Sequence, residues 1–106
     1  MPKYLIQASY TAEGLKGLQK DKASGRRSAV MSALEPLGGK LDAMYYALGE
    51  HDVFAVVDLP DTQTITALSV AVSASGMVRT STTALLTVEE ADKALAKAIS
   101  YRPPGK

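Results

Sequence analysis

Cysteine, tryptophan and asparagine are absent from this sequence of 106 residues, and histidine and phenylalanine each occur once. Without cysteine the chain can form no disulfide, no thiolate metal site and no thiol nucleophile. A zinc site would need three or more carboxylates around His51, and the spacing of the acidic residues does not suggest one. Phosphate-binding loops, dinucleotide fingerprints and serine-hydrolase elbows are also missing. We therefore expect neither a metal nor a cofactor.

The charge balance and the length set further bounds. Twelve basic and eleven acidic side chains leave a formal charge of +1, so the composition does not favour nucleic acid or a membrane surface as a partner. The sequence has no 18-residue apolar run and its start lacks the apolar core of a signal peptide, so we expect a cytoplasmic protein. A chain of this size accommodates one domain, expected over residues 1–100, with a flexible tail over 101–106.

Hydrophobic spacing predicts four strands and three main helices. Strand-like runs cover 3–9, 41–48, 53–59 and 78–88. Helical spacing covers about 26 to 37, 60 to 76 and 89 to 100, and Thr11 can cap a short helix before a loop or break at 19–25. The order β, α, β, β, α, β and a last helix predicts an α+β fold, the ferredoxin-like βαββαβ sandwich with an antiparallel sheet.

The predicted sheet carries apolar side chains on both of its faces. Residues 53–57 are all apolar, and Leu5–Ile6 and Leu85–Leu86 repeat this pattern on other strands. Helices in this fold cover one face only, and a chain of this length has no spare element for the other. We therefore expect two copies to pack sheet against sheet, as a homodimer or as part of a higher oligomer.

His51 is a candidate for general acid or base catalysis, because histidine is the residue type that ordinarily titrates near neutrality. It lies beside Asp52 in the predicted hairpin turn at 49–52. The alternative is a surface imidazole that is solvated or bonded to nearby backbone, with Asp52 forming the turn rather than binding a ligand. The sequence leaves both interpretations open.

Arg79 begins the last predicted strand and is a candidate anion clamp. Its guanidinium can bind a carboxylate or an enolate, with Ser81 and Thr83 on the same face as further donors. The alternative is a salt bridge between subunits, with the hydroxyl residues present for their strand propensity.

Two further pairs are candidates for ligand contacts. Tyr45 and Tyr46 are adjacent on a strand, so one faces the helices and the other faces out, where it can orient a ligand or pack in an interface. Arg26 and Arg27, at the start of the main helix, either bind an anion there or are solvated.

Six short pieces in a fixed order give the sequence a family resemblance. They are Ser9-Tyr10-Thr11 with Gly14-Leu15, Arg27, Leu37 to Leu41, Leu48 to Asp52, Leu59-Pro60-Asp61 and Gly76 to Thr82. Over about residues 3 to 90 the chain resembles the GYD-domain family, with His51 where the family usually has Tyr in its Gly-x-Tyr-Asp turn. The resemblance implies an oligomer of ferredoxin-like subunits similar to dimeric α/β-barrel proteins, whose sheets pack face to face around a cavity. It implies no assigned activity.

Two functions of different classes fit these observations. The first is a non-enzymatic oligomeric module that binds a small metabolite or a partner protein at a subunit interface or in the cavity between the sheets. The second is a cofactor-independent enzyme for proton transfer or oxygenation of a small carboxylate or phenolic ligand. In the enzyme, His51 is the base, Arg79 the anion clamp and Tyr46 the residue that orients the ligand. This function requires His51 or Tyr46 to line an enclosed pocket, with Arg79 within reach of the same ligand.

Overall fold

Four strands and three helices follow one another in the predicted order. A computed structural model describes residues 1–106. Its elements are β1 (Lys3–Tyr10), α1 (Ala12–Leu34), a 3₁₀ turn (Glu35–Leu37), β2 (Lys40–Tyr46), β3 (Val53–Asp58), α2 (Thr62–Ala74), β4 (Val78–Leu85) and α3 (Val88–Leu95). None of the helices is long and apolar enough to cross a membrane. The predicted α+β class is confirmed, although β4 and α3 end earlier than expected.

The strands form one antiparallel sheet in the order β2-β3-β1-β4. β1 and β3 occupy the centre, and β2 and β4 form the edges. This is the strand order of a ferredoxin-like arrangement, in which α1 and α2 each connect a central strand to an edge strand. The antiparallel sheet predicted from the sequence is therefore confirmed.

α1 contains the break that its polar middle predicts, but as a kink in one helix. Thr11 caps the helix, since its side-chain oxygen accepts a hydrogen bond from the backbone N–H of Gly14. The helix then continues to Leu34 except at Lys22, which has a φ of 65° and a ψ of 165°. Of the two alternatives for 19–25, a loop or a helix break, the structure has the break, because only one residue of the polar stretch leaves the helical conformation.

The hydrophobic core lies between α1, α2 and one face of the sheet. Its centre consists of Tyr4, Leu34, Val57, Leu59 and Ile65, which come from both long helices, from β1 and from β3 with the residue after it. Only nine of the 106 residues are buried. A single chain therefore removes little of its apolar surface from water, which is the usual difficulty of a small domain.

We call the face of the sheet that carries no helix the open sheet face. Its central members from the strand register are Leu5, Gln7 and Ser9 of β1, Ala43 and Tyr45 of β2, Phe54 and Val56 of β3, and Arg79, Ser81 and Thr83 of β4, and Lys3, Asp58 and Leu85 lie at one end of it. Among the central members, the apolar half consists of Leu5 with the residues of β2 and β3, and the polar half consists of Gln7, Ser9 and the residues of β4.

The C-terminal segment leaves its apolar side chains exposed. α3 begins with a complete capping box, in which the side chains of Thr87 and Glu90 each accept the other residue's backbone N–H. Beyond it Leu95 is 83% exposed, and Ile99 and Tyr101 are exposed as well. The radius of gyration of 16.8 Å exceeds the roughly 13 Å of a compact chain of this length. The chain is thus extended, with an uncovered apolar segment at its end.

Candidate functional site

Asp52 connects the β2–β3 hairpin to the end of β1 through hydrogen bonds. Its carboxylate oxygen Oδ2 accepts the backbone N–H of Tyr10 at 2.9 Å, and its own N–H donates to the carbonyl of Ala8 at 2.8 Å. The N–H of Ala47 closes the turn by donating to the Asp52 carbonyl at 2.9 Å. These bonds hold the turn beside the end of β1. Ligand binding by Asp52 stays a prediction, since the partner observed for its carboxylate is a backbone amide.

Ser9 and His51 meet at this end of the open sheet face. The Ser9 hydroxyl donates to the Glu50 carbonyl at 2.8 Å, and its Oγ lies 3.4 Å from His51 Nδ1, a long contact. Because the hydroxyl hydrogen is used on Glu50, Oγ can accept from the ring only in the tautomer that carries its proton on Nδ1, and in that tautomer Nε2 is an acceptor. The ring also meets Phe54 edge-on, with centroids 6.0 Å apart. The half-buried imidazole is therefore held on two sides.

Arg79 lies directly across from Ser9 in the β1–β4 ladder. Ser81 and Thr83 share its face, as the alternation of a strand predicts. The ion pairs of the chain are Lys3 with two aspartates and Arg26 with Asp21, so the Arg79 guanidinium has no internal carboxylate partner. The structure thus places Arg79 and His51 on either side of Ser9.

The two adjacent tyrosines lie on opposite sides of the sheet. Tyr45 is on the open sheet face across from Phe54 and is 71% exposed. Tyr46 is on the helix side across from buried Val53, and its hydroxyl lies 3.2 Å from that of Tyr10. Burial raises the pKa of Tyr46 above its usual range, and the hydrogen bond with Tyr10 adds to the effect. Tyr46 therefore carries a neutral hydroxyl on the side of the helices.

A β-bulge decides which tyrosine faces the helices. The register of β2 against β3 shifts after Leu41, whose side chain lies on the helix side. Strict alternation from Leu41 would turn Tyr45 toward the helices, and the extra residue of the bulge turns Tyr46 there instead. The structure consequently does not bring Tyr46 to the side of the sheet that carries His51 and Arg79. Tyr45 is the tyrosine that shares their side.

Charged residues at the other end of the open sheet face pair with one another. Lys3 donates to Asp58 at 2.8 Å and also forms a close ion pair with Asp42. The hydrogen bonds to Asp42 and Asp58 raise the pKa of Lys3, and the bond from Lys3 lowers the pKa of Asp42. Lys3 is thereby committed to internal partners, in contrast to Arg79.

Two residues that organise the site carry little signal of their own in the sequence. Ser9 supplies the contact between the hairpin and the imidazole, and Tyr10 bonds Asp52 through its N–H and Tyr46 through its hydroxyl. Their only sequence cue is position, since they end β1 just before the helix cap. The structure brings no three metal-ligating side chains together.

Comparison with known proteins identifies one relationship. The family model described as GYD domain matches residues 4–95, from β1 to the end of α3. No curated protein and no solved structure matches the chain.

Proposed function

The chain belongs to the GYD-domain family, and from that premise and the geometry above we propose that it is a homo-oligomeric module that binds a small carboxylate between subunits. Two copies pack through their open sheet faces, and the ligand contacts the polar half where Ser9, His51 and Arg79 meet. The observation that carries the proposal is one helix-free face that combines an apolar half with an arginine that has no internal partner.

The apolar half supplies the reason for self-association. Leu5 lies across from Val56, and Phe54 lies across from Tyr45, so the patch is continuous over three strands. Removing such a surface from water contributes about 25 cal/mol per Å². A second copy fits because one sheet face packs well against another, and a two-fold axis lets the same patch serve both subunits.

The C-terminal helix supports self-association independently of the sheet. α3 presents Val88, Ala91 and Leu95 at helical spacing, and both Val88 and Leu95 are exposed in the single chain. A short helix gains most of its stability by packing its apolar side against another element. In the proposed oligomer, the second copy supplies that element.

The polar half supplies the contacts to the ligand. Sheet-to-sheet packing would strip water from the Arg79 guanidinium, and a charge buried without a partner is costly. A small carboxylate between the sheets removes this cost by accepting charge-assisted hydrogen bonds from Arg79. Ser81 and Thr83 offer hydroxyl groups on the same face, and Nε2 of His51 offers an acceptor in the tautomer with its proton on Nδ1.

A catalytic role is the second candidate, and the contact between Ser9 and His51 favours it. The contact suits the tautomer with its proton on Nδ1, in which Nε2 has the free lone pair that a general base requires. Because Tyr46 lies on the helix side, Tyr45 takes its place as the residue that orients a phenolic or carboxylate ligand. Loss of a turnover in His51→Ala, with thermal stability unchanged, is the result that would make the chain an enzyme rather than a binding module.

Sedimentation velocity of Phe54→Asp and Val56→Asp tests the oligomer. An unpaired carboxylate buried between the sheets is strongly unfavourable, so we expect both variants to sediment as smaller species than the native chain at equal concentration. Val70→Asp is the matched control, because Val70 is exposed on α2 and the same substitution there leaves the oligomer intact. Native-like sedimentation of both sheet variants would refute packing through the open sheet face.

Sedimentation velocity also tests whether a carboxylate binds between the subunits. If a carboxylate binds at the interface, succinate shifts the native chain toward the oligomer by mass action, and Arg79→Gln abolishes this response. An identical response of the native chain and Arg79→Gln would show that the carboxylate does not bind at the polar half.

A further inference from the structure

We infer that the chain has a second ligand site, a cavity on the helix side of the sheet that takes a small carboxylate with an apolar body about the size of benzene. This cavity lies between α1, α2 and the sheet, is partly open to solvent, and has a volume of about 150 Å³. The open sheet face, with Ser9, His51 and Arg79, is on the other side of the sheet. The inference therefore stands whether or not the proposed oligomer forms.

The cavity exists because small side chains meet where a helix crosses the sheet. Ala29 and Ala33 line the cavity on the side of α1, and Ala8 and Ala55 line it on the side of the two central strands. Protein interiors are close-packed, and unfilled apolar volume lowers stability in proportion to its size. An apolar cavity of roughly this volume accepts benzene. The volume thus sets the size of the ligand's apolar body.

The mainly apolar lining of the cavity includes a cationic side chain and a phenol. These are Arg26 and Tyr10, and Tyr10 shares a hydrogen bond with Tyr46. The ion pair between Arg26 and Asp21 is long, at 3.5 Å, and engages one terminal nitrogen of the guanidinium. The remaining N–H groups are free to donate to a ligand.

The tyrosine pair offers a second donor, since Tyr10 lines the cavity together with Arg26. Two hydroxyl groups that share one hydrogen bond use one of their hydrogens, so the other hydrogen remains available. Burial raises the pKa of Tyr46, which keeps its hydroxyl neutral and avoids a negative charge that would repel an anion. A guanidinium and a phenol hydroxyl beside an apolar space match the two oxygens of a carboxylate on a hydrocarbon body.

Benzoate is the probe for this site, and benzamide is its uncharged analogue. In a nuclear magnetic resonance titration of the native chain, we expect benzoate to shift the signals of Ala8, Ala29 and Ala33 saturably. Arg26→Met removes a charge-assisted hydrogen bond, so it should weaken benzoate binding by about tenfold or more. Benzamide should bind the native chain more weakly than benzoate, and Arg26→Met should not change its affinity.

Ala33→Leu tests the cavity itself, with Ala67→Leu as the matched control. Leucine is a strong helix former, so both variants should fold, but only position 33 lines the cavity. We expect Ala33→Leu to abolish the benzoate shifts and Ala67→Leu to retain them. Equal binding of benzoate to both leucine variants would overturn the site, and equal binding of benzoate and benzamide would overturn its carboxylate selectivity. Shifts confined to Ser9, His51 and Arg79 would overturn the cavity site while supporting the proposed interface site.

Discussion

At the residue scale, two glycines of α1 differ in the space that is available for a side chain. A Cβ at Gly14 would overlap the backbone carbonyl of Met77, whereas a Cβ at Gly17 would have nothing within 4 Å. The neighbouring Thr11 N–H also donates to the Met77 carbonyl, at 2.9 Å. The first turn of α1 is thus seated directly on the backbone that leads into β4, and only a residue without a side chain permits this approach.

Gly14→Ala should therefore destabilise the fold, and Gly17→Ala should stabilise it. Forcing a methyl group against backbone costs about 1–3 kcal/mol in the free energy of unfolding. Replacing a helical glycine that has free space gains about 0.8 kcal/mol. Urea unfolding of both variants at one protein concentration measures the difference, and changes of the same sign at the two positions would contradict the packing described for Gly14.

At the scale of single elements, a side-chain carboxylate caps α2. Asp61 accepts hydrogen bonds from the backbone N–H of Thr64 at 2.8 Å and from its hydroxyl at 2.7 Å. These bonds stabilise the ionised carboxylate and lower the pKa of Asp61. Because the folded pKa is the lower one, the contribution to stability is present above the unfolded value of 3.8 and is lost as the pH falls through the folded value.

Asp61→Asn should reduce the loss of stability that the native chain shows as the pH falls. Asparagine caps a helix about as well as aspartate but does not titrate, so the variant should match the native melting temperature near neutral pH. Below about pH 4 it should lose less stability than the native chain. Thermal melting across this range measures the effect, and Asp61→Ala, which lacks a cap, should be less stable than both at neutral pH. A native-like acid profile for Asp61→Asn would show that Asp61 does not contribute to it.

At the scale of the whole molecule, the chain buries few residues and extends an apolar helix into solvent. Nine residues are buried, and the large apolar side chains of the C-terminal segment are exposed. A monomer with this arrangement would expose both the apolar half of the open sheet face and the apolar side of α3. The proposed self-association would remove both surfaces from water.

Leu95→Gln should weaken the oligomer without changing the stability of the isolated subunit. Leu95 is 83% exposed within one chain, so the substitution should leave the unfolding of the dissociated subunit unchanged. It should nevertheless raise the oligomer dissociation constant measured by sedimentation, since a buried leucine contributes about 1.5–3 kcal/mol. Lys93→Gln, on the same helix, is the control. An unchanged dissociation constant for Leu95→Gln would exclude α3 from the interface.

More of the fold than of the candidate site can be predicted from the sequence. Element order, the cap at Thr11 and the break near Lys22 follow from local spacing and composition, and the structure reproduces them. His51 contacts Ser9 and Arg79 lies across from Ser9, and the roles assigned to His51 and Arg79 from the sequence stay predictions. The sequence did not predict that Tyr46 faces the helices, because the bulge after Leu41 reverses the alternation and has no clear signal in the sequence.

The sequence by itself determined the alternation of strands and helices and the presence of apolar residues on both faces of the sheet. These properties depend on periods of 2 and 3.6 residues, which are local. Only the tertiary structure decided that Ser9 meets His51 and that four alanines leave a cavity beside Arg26 and Tyr10. Such contacts depend on strand register and on the packing of a helix over the sheet, which join residues far apart in the chain.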